Sequence, residues 1–129
     1  MDKDMKKALD NYIERIKEDY NKWTNHGSGN AYSEMTKKFN ASVRIKEGQK
    51  YIKVLTENSV HSFIVKEDST LRGKDFKRGD MLKAASWATP TLNCARGNIF
   101  GAYDVQWTGA LYMTGPGRIY RQRGQNNSI

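Results

Sequence analysis

Cysteine, proline and histidine are scarce in this 129-residue chain, which has one Cys, two Pro and two His. A single thiol, Cys94, forms no intramolecular disulfide and builds no metal site by itself, so a disulfide framework is excluded and a cytosolic setting is the default. Alone in such a setting it is expected to be a small buried side chain rather than a nucleophile. The histidines are His26, beside a glycine turn, and His61, within a strand-like run. No HExxH, CxxC, GxSxG or Walker pattern occurs. Beyond the first third, acids sit mostly in turns ("KED", "GKD", "RGD"), which offers no paired-carboxylate site. "RGD" at 78–80 reads as a turn before a strand. No apolar run approaches the ~20 residues that cross a bilayer. The opening MDKDMKKALDNY mixes both charge signs and has no apolar h-region, so no signal peptide is expected. These absences point to a binder rather than an enzyme, with no metal, no cofactor and no membrane partner.

Acids are also scarce in one region. Residues 1–64 carry twelve Lys/Arg against nine Asp/Glu, a mixed, solvated surface. Residues 81–129 carry five cations (Lys83, Arg96, Arg118, Arg121, Arg123) and one acid, Asp104. Six aromatics, Trp87, Phe100, Tyr103, Trp107, Tyr112 and Tyr120, interleave with those cations. Arginine with aromatic rings suits phosphates and purines, through bidentate hydrogen bonds and stacking. The net charge of +8 agrees with an anionic ligand, although a basic composition alone does not require one.

What is present describes one domain of α+β class, residues 1–129. An apolar fraction of 37% with 28% charged residues is that of a globular chain. Met5, Leu9, Tyr12, Ile13, Ile16, Tyr20 and Trp23 recur at helical spacing, predicting an amphipathic helix over 2–23, about 33 Å long. "NHGSGN" at 25–30 ends it, and "AYSEMTKKF" predicts a second, short helix through 39. From 41 the period becomes two. "ASVRIK", "KYIKVLTE" and "SVHSFIVKE" predict an antiparallel meander. "DSTLRGKDFKRGD" at 68–80 reads as a loop, or a loop with one brief strand, and "AYDVQWTGALYM" at 102–113 as a further strand. The chain therefore divides into a helical assembly region (1–40), whose helices are expected to join copies of the chain, a β-rich core (41–113) and a basic C-terminal tail (114–129). The helix either lies across its own sheet or packs on the same helix of another copy to make a homo-oligomer.

The least ordinary stretch is "KAASWATPTLNCARGNIF", 83–100. Pro90 stiffens the loop just past Trp87, and Gly97 after Arg96 permits a close approach or a positive φ. Asn93 and Asn98 offer donors and acceptors that read a base edge. The plainer assignment makes Trp87 a core residue, has Arg96 bond carbonyls, and has the asparagines cap turns. The helix is not basic on one face, as a major-groove reader would be, and no RNP-type strand is spelled. A small nucleotide-like anion, or a loosely held single strand, remains.

The block "FKRGDMLKAASWATPTLNCARGNIF" (76–100), with "KYIKVLTENSVHSFIVKED" before it, resembles small bacteriophage proteins built around GD-x-x-KAASW, a proline and ARGNIF. Over roughly 50–110 the chain resembles the first family of Thoeris anti-defence sponges. The resemblance implies a non-enzymatic viral protein in the host bacterial cytoplasm that sequesters cyclic ADP-ribose isomers, or cyclic oligonucleotides, made as immune signals. It also implies dimers or higher oligomers with ligand between protomers. Residue chemistry then assigns Trp87 to stack on adenine, Asn93 and Asn98 to bond ribose or base, and Arg96, Arg118 and Arg121 to hold pyrophosphate. The alternative is a phage nucleic-acid-binding accessory protein using the same cations along a groove.

Overall fold

The computed structural model describes residues 1–24 and 30–109. Two helices, α1 (Lys3–Thr24) and α2 (Asn30–Ser42), precede six strands: β1 (Arg44–Glu47), β2 (Tyr51–Thr56), β3 (Ser59–Val65), β4 (Ser69–Leu71), β5 (Lys74–Phe76) and β6 (Met81–Leu82). The fold is α+β, with an antiparallel four-stranded sheet in the order β1-β2-β3-β6 and a separate β4-β5 pair.

The start of α1 is set by Asp2, whose Oδ1 accepts the Met5 amide at 2.9 Å and satisfies one of the orphan donors of the first turn. The same carboxylate takes both Arg78 guanidinium nitrogens at 2.7 Å, tying the helix start to the turn between β5 and β6. The Arg78 hydrogen bonds, then the Met5 amide, hold Asp2 well below the usual carboxylate range. The glycine-bearing reversal at 25–29 lies outside the described residues. The second helix runs three residues beyond the expected end, to Ser42, whose hydroxyl donates to the Phe39 carbonyl at 2.6 Å.

The apolar stripe of α1 is spent inside its own chain. Met5, Leu9, Tyr12, Ile16 and Tyr20 are buried with Phe39 of α2, Ile52 and Val54 of β2, Ile64 of β3, Met81 of β6 and Ile99. Each such side chain contributes about 1.5–3 kcal/mol when removed from water. Ile13 is half-buried and Trp23 is exposed. The opposite face of the sheet is covered as well, by Phe63, Val65, Phe76 and Leu82 with Leu71, Leu92 and Ala95 around them. The main sheet is therefore sandwiched between the helices and the 68–95 segment.

Strand pairing shifts once. Val54 pairs with Ser62 and Leu55 with Val60, leaving His61 as an extra residue in β3. Such a bulge turns consecutive side chains to one side. His61 and Ser62 consequently both meet Tyr12 on the helix side.

Three local expectations are corrected. Residues 69–76 form a hairpin of two strands, because Arg72 and Gly73 both take positive φ (51° and 76°), as a two-residue type I′ turn requires. Residues 102–109 form no strand, only a single bridge between Tyr103 and Gly97. The alternation there is real burial, since Tyr103, Val105 and Trp107 pack against the helix-side core. Their backbone bonds instead to side chains: the Trp107 amide to Asp19 at 2.8 Å and the Gln106 carbonyl to His61 at 2.7 Å. Cys94 is exposed rather than buried. Residues 110–113 and the 114–129 tail lie outside the described residues.

Candidate functional site

The stretch 81–97 folds back on itself as an irregular hairpin. Met81 and Arg96–Gly97 exchange backbone bonds of 2.7 and 2.8 Å, Thr91 donates to Lys83 at 2.7 Å, and Ala85 donates to Thr89 at 2.9 Å. Pro90 forms an isolated antiparallel bridge with Ala84. At the tip the Ser86 hydroxyl meets Thr89 Oγ1 at 2.9 Å and accepts the amides of Ala88 and Thr89 at 3.3 and 3.2 Å. A hydroxyl used this way fixes a turn without a ladder. Trp87 is presented on that turn with 52% of its surface exposed, so it is not a core residue.

Beneath the tip is a cleft of about 170 Å³ lined by the β1–β2 hairpin (Lys46 to Tyr51), Lys53, Phe63 and Ala88. Lys53 Nζ lies 4.9 Å from the centre of the Trp87 ring and 6.0 Å from that of Phe63, an arrangement attracted by the ring faces. Tyr51 meets Phe63 edge-on at 5.8 Å, and burial raises the phenol above its usual range. One acid lines the cleft, Glu47, and it is already matched by Lys66 at 2.7 Å and the N-terminal ammonium at 3.9 Å.

The other sequence-assigned residues lie elsewhere on the loop. Asn93 Oδ1 accepts the Cys94 amide at 2.8 Å and an Arg96 Nη2 hydrogen at 3.3 Å, while its carbonyl accepts Lys74 Nζ at 2.8 Å. Asn98 spends its amide inside the fold: Nδ2 donates to the Arg78 carbonyl at 2.9 Å and to Asp80 at 3.0 Å, and Oδ1 accepts the Phe100 amide at 2.8 Å. Asp80, whose carboxyl burial pushes upward, also accepts the Lys77 amide at 2.8 Å. Asn98 thus acts in the turn-capping role. Arg118 and Arg121 lie outside the described residues. Gly97 does take a positive φ, 145°, but the close approach it allows is to Cβ and Cα of Tyr103 rather than to open space. The cation beside Trp87 is Lys53, from the first half of the chain. Sequence reasoning passed over Lys46, Lys50 and Lys53 because each sits in a strand or turn where a lone lysine is ordinary surface.

Two larger cavities differ in charge. A groove of about 820 Å³ carries Asp2 and Asp4 against Lys7 and Arg78, and Arg78 is held by Asp2. A second, of about 380 Å³, carries Glu18, Asp19 and Asp104 against Arg15 and Lys22. Neither offers surplus positive charge to an anion, whereas the smaller cleft has three lysines and one neutralised acid.

Tyr12, His61 and Ser62 form a buried polar triangle that resembles a nucleophile and base. Tyr12 Oη stands 2.8 Å from Ser62 Oγ and 3.2 Å from His61 Nδ1, and Ser62 Oγ stands 2.9 Å from Nδ1. The Gln106 carbonyl can only accept, so Nε2 carries the proton and Nδ1 is the acceptor. All three residues are at most 2% exposed, which leaves no approach for a substrate. Burial pushes His61 down to about 4, keeping the ring neutral. The triangle joins helix to sheet.

The chain is thus a small α+β domain with a cationic, aromatic cleft at one sheet face. No group of His, Cys, Asp and Glu among the described residues is placed to hold a metal, and no helix there is long and apolar enough to cross a membrane. No protein-family model, curated protein or solved structure matches the chain.

Proposed function

We propose that this protein is a non-enzymatic sponge that binds and sequesters cyclic nucleotide immune signals, cyclic ADP-ribose isomers first among them, and so blocks bacterial anti-phage defence from within the host cytoplasm. The observation that carries the reading is the exposed Trp87 ring, fixed on a stiff turn beside Lys53. The resemblance of residues 50–110 to the anti-defence sponges supplies the ligand class. A sponge competes with a receptor and needs nanomolar binding, about −12 kcal/mol. Base stacking of ~1–3 kcal/mol and charge-assisted phosphate bonds of ~1.5–3 kcal/mol each reach that range in an enclosed site. A cleft of 170 Å³ encloses only part of such a ligand. This fits the homo-oligomer implied by the resemblance, with a second protomer supplying further walls. The α1 stripe is buried in its own chain, which favours other surfaces, including the remaining faces of the helices, for that assembly.

The test is to mix the protein with cyclic ADP-ribose isomers, remove free ligand, and heat the complex. Intact ligand is expected in the supernatant; failure to retain any cyclic nucleotide would sink the reading. The same lysines and rings also favour the nucleic-acid-binding alternative. Affinity for single-stranded DNA that falls steeply with salt, in proportion to the phosphates contacted, would select it.

A further inference from the structure

Strand register places Lys46 of β1 directly opposite Lys53 of β2, which in turn faces Phe63 of β3. Like charges directly opposite on neighbouring strands work against folding. Among the described residues, no ion pair engages Lys46, Lys50 or Lys53. Glu47, the acid that lines the cleft, is committed to Lys66. A locally unfavourable pair beside an exposed tryptophan is what a binding site, rather than a solvated surface, would retain.

We propose that this cleft and the Trp87 ring beside it together form the nucleotide contact of the protein: a base stacks on Trp87 next to Lys53, and its phosphate is held in the cleft by Lys46 and Lys50. The inference rests on the nucleotide-binding reading above and replaces the C-terminal arginines as the first phosphate partners. Its size sets the mode. At about 170 Å³ the cleft is smaller than the ~300–1,000 Å³ of pockets that engulf whole ligands, so it takes only part of the ligand and leaves the rest outside. A phosphate bound at Lys46 offsets the repulsion that the register imposes between Lys46 and Lys53, so binding and relief of strain coincide.

Calorimetric titration of the full chain with a cyclic ADP-ribose isomer, AMP and ribose 5-phosphate tests it, using wild type, Trp87→Ala and Lys46→Glu. Wild type is expected to bind the cyclic isomer and AMP, with ribose 5-phosphate at least tenfold weaker. Both variants should weaken the two adenine ligands at least tenfold. Lys46→Glu should at the same time raise the thermal midpoint of the free protein, which no loss of fold would do. Cyclic isomer bound equally by all three proteins overturns the site and leaves the sponge reading standing. Ribose 5-phosphate bound as tightly as AMP removes the ring from the contact and overturns the stacking. AMP binding that is lost in both variants, with no cyclic isomer bound, keeps the site and overturns the sponge. Binding of neither adenine ligand overturns both.

Discussion

The hydroxyl of Tyr12, on the long helix, sits 2.8 Å from the hydroxyl of Ser62, fifty residues later on the central strand. Both groups are fully buried, so the bond fixes the rotation of α1 about its axis against the sheet. The two hydroxyl protons are shared among Tyr12 Oη, Ser62 Oγ and His61 Nδ1, and neither is left without an acceptor. Replacing Tyr12 by Phe keeps the ring contact with Tyr103, 5.5 Å between centres, but removes one corner of the triangle. Ser62 and His61 still satisfy each other. The expected cost is about 1–2 kcal/mol, read as a lower urea midpoint with an unchanged slope.

The neutral His61 makes stability depend on pH. Its folded value, about 4, lies below the ordinary histidine value of 6.5. Between those values the unfolded chain binds more protons than the folded one, so stability is complete above about pH 6.5 and falls as pH drops toward 4. The loss over that window is on the order of 3 kcal/mol. Asp2 adds a loss of the same sign only further down, below the ordinary carboxylate range, because its folded carboxyl is held low by Arg78. Urea midpoints measured from pH 7.5 to pH 4.5 should decline for wild type. An equal midpoint across that range would contradict a buried neutral ring.

Gly97 is held at φ 145°, and a Cβ there would stand 2.6 Å from Tyr103 Cβ and 3.1 Å from its Cα. Backbone cannot swing aside as a side-chain tip does. Gly97→Ala should cost more than about 2 kcal/mol, through strain and overlap together. Thermal unfolding of the purified variant measures it, and a midpoint within a degree of wild type would show that the 97–103 contact gives way easily.

Leu9 and Ile16 are buried against the sheet of their own chain. A carboxylate at either position has no partner there, so Leu9→Glu or Ile16→Glu should abolish the cooperative unfolding transition. Far-UV circular dichroism distinguishes this from dissociation. A variant that kept full helicity and merely became smaller by light scattering would mean that the stripe serves an interface between copies.

The elements that periodicity specifies were legible without the fold. The stripe from Met5 to Tyr20 defined α1, and alternation defined β1 to β3, because burial of one face repeats with the local geometry of helix or strand. The composition of "KAASWATPTLNCARGNIF" marked the loop, and its Trp87, Pro90 and Gly97 each took a conformation or exposure that the sequence allowed. The same local rule misread 102–109, whose alternating side chains are buried but whose backbone bonds to Asp19 and His61 instead of to a neighbouring strand.

What lies between elements belonged to the tertiary structure. Strand register brought Lys46 opposite Lys53, and the shift after Val54 turned His61 and Ser62 together toward Tyr12. Hairpin docking set Trp87 over Lys53 and committed Asn98 to Asp80. Sequence spacing records which face of an element is apolar, and that determined the α+β layers. Charge and hydrogen-bond partners depend on which distant segment arrives at that face, and on its register to a single residue, which only the packed chain decides.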